Sequence, residues 1–323
     1  MRVALLGVSH WHAQMHLDAV ISSGGEVPAV WDLDAATTRR FAADHRLTTA
    51  QSLDQIIESH PNLIVLMGHP LTVPDVARQI IAAGIPLILE KPAASATGNL
   101  MRVVEAVRER GGFVGVPLPN RFGPVFRTMA ELEAEGRLGK LAHGHFRIVN
   151  GPPQRYRDEG VGWMLDPGIG GGGALRNLGI HGIDATLFLA QGALRVMSAA
   201  IGNRIHEERV EDHAHVTLRD EAGTLFTIEA GYTYASMAPG GDFEWRIATH
   251  NAYLIDRGET AQCATLDDGC TRMLAPQHPS TRYRLFMADT FDRLRSGEAP
   301  AVGIEDYLAA MQIIDAAYEK ANS

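Results

Sequence analysis

The first 120 residues alternate short apolar runs with segments of helical period, and this alternation restricts the fold more than any other feature. The apolar runs are rich in aliphatic and β-branched residues and read "RVALLG", "EVPAVW", "LIVLM", "PLILE" and "FVGVP". Segments such as "VPDVARQIIAAG" and "TGNLMRVVEAVRERG" follow them in turn. Strand and helix in alternation predict βαβ units. The fold class is therefore α/β, with a doubly wound parallel sheet covered by helices on both faces.

The pattern changes after Asn120. A helical segment "PVFRTMAELEAEG" is followed by a strand-like run, a glycine run, a second helical segment and several further strands. Among these strands, "HAHVTLRD" and "TLFTIEAGYTY" flank a "DEAG" turn and predict an antiparallel hairpin. We therefore predict a dinucleotide-binding domain over residues 1–121 and an α+β domain over residues 122–323, which would bind substrate and form oligomers. The last helix could pack back on the first domain.

Composition excludes several classes of partner. The chain has 323 residues, enough for two domains, since single cores stop growing near ~250–300 residues. With 29 basic and 38 acidic residues its formal charge is −9, which argues against nucleic acid and anionic membranes. No apolar run reaches the ~18 residues of a membrane span. Cys263 and Cys270 are too few for a disulfide framework, so a reducing cytoplasm is expected.

The first strand–helix junction is the expected nucleotide site, because amides at a helix N-terminus favour phosphate. The G-x-G-x-x-G pattern is incomplete there. Gly7 holds the first position, whereas Ser9 and His12 occupy the second and third. Taken alone, this pattern is weak support for a dinucleotide site.

A carboxylate after the second strand strengthens the nucleotide assignment. Asp32 lies 20 residues after His12, about where a ribose-binding carboxylate is expected. A carboxylate at this point repels a 2′-phosphate and so favours NAD over NADP. Arg39 and Arg40, on the following helix, keep NADP possible.

The cluster "HWHAQMH" raises the question of a metal site. His12 and His16 are four residues apart, the spacing used by zinc-binding helices. No glutamate follows His12, no third ligand is evident, and the cluster overlaps the phosphate turn. We interpret these residues as polar side chains at a helix start and predict no metal.

Two further segments make a family resemblance specific. "EKP" at residues 90–92 and "GWMLDPGIGGGGALRNLGIHGID" at residues 162–184 resemble the two signatures of the glucose-fructose oxidoreductase/inositol dehydrogenase (Gfo/Idh/MocA) family. The "VEDHAHVTL" strand and the C-terminal tail are also similar, so the resemblance covers nearly the whole chain. It implies a Rossmann domain and a second domain with a large open, mainly antiparallel sheet. It also implies NAD(P)-dependent oxidation of a sugar, polyol or sugar acid, and a homodimer or homotetramer formed through that sheet.

The "EKP" segment supplies the first catalytic candidate. Strand ends in a doubly wound sheet open onto the ligand crevice, so Lys91 can face both nicotinamide and substrate. Pro92 restricts the residue before it to an extended backbone. By family resemblance, Lys91 orients a substrate hydroxyl and shares in proton transfer. Glu90 is then a structural partner beside the cofactor.

The second signature supplies the base. Imidazole titrates near pH ~6.5, so His181 can take the hydroxyl proton as hydride leaves the same carbon. The family pattern has aspartate four residues before this histidine, where this chain has Asn177. An amide brings no negative charge. Asp184, three residues past His181, could partly substitute. We expect the glycine run before this helix to approach the ligand.

The resemblance assigns three overlapping sets of residues. The catalytic set is Lys91, His181 and Asn177. The cofactor set is Gly7, Ser9, His10, Trp11, His12, Asp32, His69, Glu90 and Lys91. The substrate set is Lys91, Asn120, Arg121, Trp163, Asp166, Asn177 and His181.

The implied reaction is a reversible hydride transfer between nicotinamide C4 and a carbinol carbon. His181 would move the hydroxyl proton while Lys91 polarises the oxygen, and the cofactor, not a metal, is the electron sink. Two alternatives stay open. One is a glycosidase or lyase that uses tightly held NAD without net redox change, and the other is a non-catalytic, nucleotide-dependent sensor. The altered phosphate turn and Asn177 motivate the sensor hypothesis.

Overall fold

The first sheet is parallel and five-stranded, as predicted. The computed structural model describes residues 1–322; Ser323, the last residue of the predicted second domain, lies outside them. The strand order is β2-β1-β3-β4-β5, and every pair is parallel. The strands are β1 (Val3–Leu6), β2 (Val30–Trp31), β3 (Leu63–Leu66), β4 (Leu87–Leu89) and β5 (Val114–Gly115). All residues of β1, β3 and β4 are buried, because helices cover both faces of the sheet.

Five helices accompany this sheet and alternate with its strands. They are α1 (Ala13–Ser22), α2 (Ala35–His45), α3 (Leu53–Glu58), α4 (Val73–Ala82) and α5 (Thr97–Arg110). Asp34 caps α2 by accepting from the backbone amides of Ala36 and Thr37. A 3-10 turn at Pro119–Phe122 then leads into the second half of the chain.

The second sheet has eight strands in the order β13-β12-β11-β10-β6-β9-β8-β7. Among residues 1–322, β6 and β9 are the one parallel pair in this sheet, and the other neighbours are antiparallel. The predicted hairpin is β8 with β9. The strands are β6 (Leu141–Asn150), β7 (Arg195–Gly202), β8 (His213–Arg219), β9 (Leu225–Gly231), β10 (Gly241–Thr249), β11 (Ala252–Asp256), β12 (Ala261–Thr265) and β13 (Thr271–Leu274).

Five further helices lie in the second half of the chain, and those that pack on the second sheet cover one of its faces. They are α6 (Pro124–Ala134), α7 (Gln154–Asp158), α8 (Ile180–Leu189), α9 (Pro279–Ser296) and α10 (Ile304–Ala321). Phe146, Phe226 and Trp245 point from the strands into the apolar core, which continues into the first domain. The sheet's outer face carries the alternating, more polar residues. Within residues 1–322, no helix combines the length and apolar character needed to cross a membrane.

The last two helices contact the first domain. Phe286 and Phe291 of α9 pack into the apolar cluster that includes Leu17 of α1. Helix α10 packs against α5, and the Val116 amide donates to the Val302 carbonyl over 2.9 Å. These contacts hold the two sheets in a fixed relation, with the carboxyl ends of the parallel strands facing the second domain.

A buried ion pair reinforces this junction. Arg282 of α9 donates to Asp256 at the end of β11 over 2.6 Å, and the two side chains are only 3% and 1% exposed. Arg282 also donates to Asn120 Oδ1 over 2.9 Å. The pair therefore links α9, the second sheet and the segment that joins the domains.

Removing one member of this pair should cost stability. We expect Asp256→Ala to lower the free energy of unfolding by about 3–5 kcal/mol, because it leaves the Arg282 guanidinium buried without its carboxylate. Asp75→Ala is the matched control, since Asp75 and Arg102 form an ion pair with side chains 58% and 48% exposed, and it should change little. Urea unfolding followed by circular dichroism measures both. Equal effects of the two substitutions would contradict the buried pair's role.

Candidate active site

The phosphate turn keeps its first glycine for a steric reason. Gly7 has a φ of +74°, and a Cβ added there would overlap the carbonyl of Met67. The backbone amide of Ser9 donates to Asp32 Oδ2 over 2.8 Å. The turn is therefore tied to the carboxylate at the end of β2, although two of its three glycine positions hold other residues.

A cavity of about 180 Å³ opens at the ends of β1, β2 and β3. Four of the predicted cofactor residues line it together: Gly7, Ser9, Asp32 and His69. Because phosphate and ribose groups bind at this edge of doubly wound sheets, the cavity suits the adenosine part of a dinucleotide.

The histidines of "HWHAQMH" are not simply polar residues at a helix start. His16 is fully buried in α1, and its Nε2 donates to Glu90 Oε2 over 2.6 Å. His12 Nδ1 lies 3.4 Å from the same oxygen and accepts from the Tyr283 hydroxyl over 2.9 Å. Burial raises the pKa of Glu90, but His12 and His16 outweigh it and hold that pKa well below its usual value. Our interpretation of this cluster was incomplete, because the partner, Glu90, lies 74 residues away.

Glu90 also fixes the backbone of the neighbouring lysine. Its second oxygen, Oε1, accepts from the Lys91 amide over 2.9 Å. The peptide bond between Lys91 and Pro92 is cis. The Glu90 carboxylate thus fixes the backbone position from which the Lys91 side chain projects at the end of β4.

The Lys91 ammonium is buried and faces Asn177. Its Nζ donates to Asn177 Oδ1 over 2.9 Å and to the Asn177 carbonyl over 3.1 Å. An ammonium has three N–H groups, so one stays available for a ligand. Burial lowers the pKa of Lys91 to about 8, and Glu90 only partly opposes this. No negative charge comes from Asn177.

The amide nitrogen of Asn177 holds two tyrosines that the sequence did not indicate. Nδ2 donates to the Tyr156 hydroxyl over 2.7 Å and to the Tyr232 hydroxyl over 3.1 Å. Burial raises the pKa of Tyr156 to about 12. An amide can donate where an ionised carboxylate only accepts, so an aspartate at position 177 could not donate to the two tyrosines in this way.

A π-helical turn positions Asn177 and His181. The sequence predicts a regular helix here, but residues Leu175–Gly179 form a π-helix that runs into α8. Such turns occur frequently at functional sites. His181 Nδ1 is buried and has no hydrogen-bond partner among residues 1–322. Burial, and then the charge of Lys91, lower the pKa of His181 well below its ordinary value, so the ring is neutral and can accept a proton.

Asp184 does not replace the missing carboxylate beside His181. Both of its oxygens accept from Arg121 Nε over 3.0 Å. Arg121 also donates to the Ala301 carbonyl over 3.3 Å. Asp184 therefore pairs with Arg121 and not with His181. Arg121, a predicted substrate residue, binds groups of the protein itself.

The other substrate candidates divide into two groups. Asn120 accepts from Arg282, and Asp166 accepts from Arg209 over 2.7 Å and from the Gly168 amide over 2.8 Å, so both are engaged within the chain. Trp163, in contrast, has its ring centroid 5.2 Å from that of His69 at the nucleotide cavity. Of these three, only Trp163 lies against another predicted site residue.

The expected approach of the glycine run to a ligand is wrong for residues 171–173. Added Cβ atoms there would overlap the Ser95 carbonyl, the Tyr318 hydroxyl and the Glu211 carbonyl in turn. Glu211 also accepts from the backbone amides of residues 173 and 175. The glycines allow the chain to pack closely on itself and so support the π-helical turn that follows.

Comparisons with known proteins agree with this fold. The model of the "Oxidoreductase family, NAD-binding Rossmann fold" matches residues 1–117, and that of the "GFO/IDH/MocA C-terminal domain" matches residues 126–254. The chain is 25% identical to 1,5-anhydro-D-fructose reductase of Ensifer adhaerens, over 94% of this chain and 91% of that protein. It is 27% identical to inositol 2-dehydrogenase 2 of Saccharopolyspora erythraea, over 66% and 62% of the two chains.

Solved structures share the fold over the whole chain. Levoglucosan dehydrogenase in complex with NADH and levoglucosan superposes with a TM-score of 0.86 at 16% identity, covering 100% of this chain and 97% of the other. An inositol dehydrogenase homolog from Azotobacter vinelandii, complexed with NAD+, gives 0.82 at 15% identity, covering 100% and 95%. At these identities the likeness establishes the fold alone.

The surroundings of Lys91 predict how it titrates. Only three lysines are present, so carbon-13 labelled lysine side chains give a readable NMR titration. We expect the Lys91 signal to titrate at about pH 8. Asn177→Asp should move that midpoint well upward, because a carboxylate beside Nζ stabilises the ammonium. The signal of exposed Lys140 should not respond to the substitution; an unchanged Lys91 midpoint would refute the assigned contact.

Proposed function

We propose, from the premise that this chain belongs to the GFO/IDH/MocA family of NAD-binding oxidoreductases, that it is a dehydrogenase. It transfers a hydride between nicotinamide C4 and a carbinol carbon of a sugar, polyol or sugar acid. One observation carries the proposal. Lys91 keeps one N–H unused at a strand end next to the nucleotide cavity, and the half-buried His181 ring lies close enough for the Lys91 charge to lower its pKa.

Lys91 and His181 have different roles in moving the hydroxyl proton. The third Lys91 N–H donates to the substrate oxygen and stabilises negative charge that develops there. Neutral His181 accepts the hydroxyl proton at Nε2, because Nδ1 is buried. Asn177 orients Lys91 and the two tyrosines. Bound NAD supplies the hydride acceptor.

Two carboxylates support NAD as the preferred cofactor. Asp32 lies at the ribose end of the cavity. Asp34 occupies the N-terminus of α2 by capping it, so the amides that could receive a 2′-phosphate already have an acceptor. Arg39 and Arg40 on the same helix are the groups that would serve NADP.

The activities named for the relatives support the substrate class. 1,5-Anhydro-D-fructose reductase and inositol 2-dehydrogenase 2 act on a sugar derivative and a cyclic polyol by name. The proposed division of labour follows the domains, with the nucleotide bound by residues 1–121 and the substrate held mainly by the part after residue 121. The 3-10 turn at Pro119–Phe122 supports a boundary there. Two free cysteines, Cys263 and Cys270, support a cytoplasmic location.

Cofactor titration and two substitutions test the catalytic proposal. Tryptophan fluorescence should report NADH binding, and Asp32→Ala should raise the NADH Kd at least ~10-fold by removing the ribose partner. Lys91→Ala and His181→Ala should each lower turnover at least ~100-fold and leave the NADH Kd nearly unchanged.

The outcomes separate the competing functions. Full turnover in either alanine variant would refute its assigned role. Tight NADH binding with no net reduction of NAD by sugars or polyols would favour cleavage or elimination through transient oxidation, or a sensor. Failure to bind NADH or NADPH would mean that Ser9 and His12 have removed the site's function.

Self-association through the second sheet is the proposed assembly. The sheet's outer face carries charges of both signs, including Arg147, Glu229 and Arg246, together with Tyr253, which is 39% exposed. Charges of both signs on one face allow the same face of a second copy to pair with it around a two-fold axis. Light scattering should therefore give at least twice the 35.0 kDa chain mass. A monomer would refute this assembly and leave the catalytic proposal intact.

A further inference from the structure

The orientation of the Asn177 amide is fixed by its neighbours. An ammonium has only donors, so the amide oxygen must face Lys91, whose Nζ lies 2.9 Å from Asn177 Oδ1. The amide nitrogen then faces the tyrosines, 2.7 Å from the Tyr156 hydroxyl oxygen and 3.1 Å from that of Tyr232. Both N–H groups of Asn177 are therefore used as donors, and each tyrosine oxygen accepts one of them.

Each of the two tyrosines still has a hydroxyl proton to donate. Among residues 1–322, neither hydroxyl donates to a third group. Tyr156 and Tyr232 are neighbours, with ring centroids 5.3 Å apart, so one hydroxyl can donate to the other. The pair can use only one of its two protons in this way. The second O–H has no acceptor in the part of the chain that the structure describes, which is unfavourable for a buried polar group.

The unused proton belongs to Tyr156. Tyr232 is fully buried, whereas Tyr156 is 8% exposed and lies at the edge of the cluster. Burial raises the pKa of Tyr156 to about 12, and the hydrogen bonds that it receives from Asn177 and Tyr232 oppose this increase only in part. Tyr156 therefore accepts from both neighbours, stays protonated at neutral pH and keeps its own O–H as a donor.

The Tyr156 hydroxyl lies beside the proposed catalytic lysine. It binds one end of the Asn177 amide, and the Lys91 ammonium binds the other end. Both also lie near the Trp11 ring, whose centroid is 6.2 Å from that of Tyr156 and 5.8 Å from Lys91 Nζ. Lys91 likewise keeps one N–H unused. Two unused donors, one from each side of residue 121, thus lie at the two ends of a single amide.

Two neighbouring donors suit a ligand with two neighbouring acceptor oxygens. A carbinol carbon offers such a pair when the carbon next to it also carries oxygen. A ligand without the second oxygen would leave the Tyr156 O–H unpaired, and a site that hydrogen-bonds a substrate group discriminates strongly against analogues that lack it. An ionised aspartate at position 177 would accept the Tyr156 proton itself, so the free donor depends on Asn177.

We propose that Tyr156 is a substrate-binding residue, whose hydroxyl donates to the substrate oxygen on a carbon next to the reacting carbinol while Lys91 binds the reacting oxygen. This rests on the proposed dehydrogenase function and adds one requirement to it, an oxygen on that neighbouring carbon. Tyr156 lies in neither of the two sequence signatures, and its role follows from the direction in which Asn177 donates.

A matched pair of substitutions tests this role. NAD reduction is measured with D-glucose, D-xylose, myo-inositol and D-glucitol, and the variants are compared on the best of these. Tyr156→Phe should raise KM at least ~10-fold, with kcat and the NADH Kd changed much less, because it removes uniform binding. Tyr232→Phe removes the same contact with Asn177 and should raise KM at most ~3-fold. Equal effects of the two substitutions, or an unchanged KM in Tyr156→Phe, would overturn the inference.

Deoxy analogues of that substrate test which oxygen Tyr156 binds. The product identifies the oxidised carbon, and one of the analogues that lack oxygen on a neighbouring carbon should lose at least ~10-fold in kcat/KM. With Tyr156→Phe, the same analogue should lose less than ~3-fold, since the donor that it fails to meet is already absent. An equal loss in both chains would overturn the inference and keep the dehydrogenase. No reduction with any of the four compounds, by protein that binds NADH, would overturn the proposed function and this inference with it.

Discussion

The rest of the site depends on one buried carboxylate, that of Glu90. Its two oxygens reach in opposite directions, one to His16 of α1 and the other to the backbone amide of Lys91. Tyr283 of α9 lies 3.4 Å from the oxygen that His16 binds. A carboxylate without these donors would be too costly to bury. The first helix, the end of β4 and a helix from the end of the chain are therefore fixed by one group.

Local signals in the sequence were enough to predict the fold, but they could not predict the contacts between distant segments. The parallel sheet follows from the period of the apolar runs, and Lys91 and His181 from two short motifs. The pair of His16 with Glu90 spans 74 residues, and that of Asn177 with Tyr232 spans 55. Periodicity carries no information about such pairs. The one available signal was that a buried amide needs hydrogen-bond partners, and this does not identify which tyrosines they are.

The asparagine at position 177 reorganises the site as well as removing a charge. A carboxylate there would accept from the tyrosine hydroxyls, whereas the amide donates to both of them. Each tyrosine oxygen is then an acceptor, and its proton can point elsewhere. Because the Tyr156 ring centroid lies 6.2 Å from that of Trp11, the exchange also affects the surroundings of a residue in the predicted cofactor set. The departure from the family pattern is thus a candidate determinant of specificity.

The presence of asparagine at position 177, where the family pattern has aspartate, also affects the charge balance around His181. With Asn177 uncharged, Glu90 alone offsets Lys91, and a protonated His181 would add a second buried cation beside the first. The Lys91 charge already lowers the pKa of His181. In the proposed mechanism the two groups therefore act in opposite protonation states, with the lysine donating and the histidine accepting. This is the pairing that removal of a hydroxyl proton requires. A carboxylate at position 177 would favour the charged form of both groups, which would keep the lysine a donor but would oppose the histidine's role as acceptor.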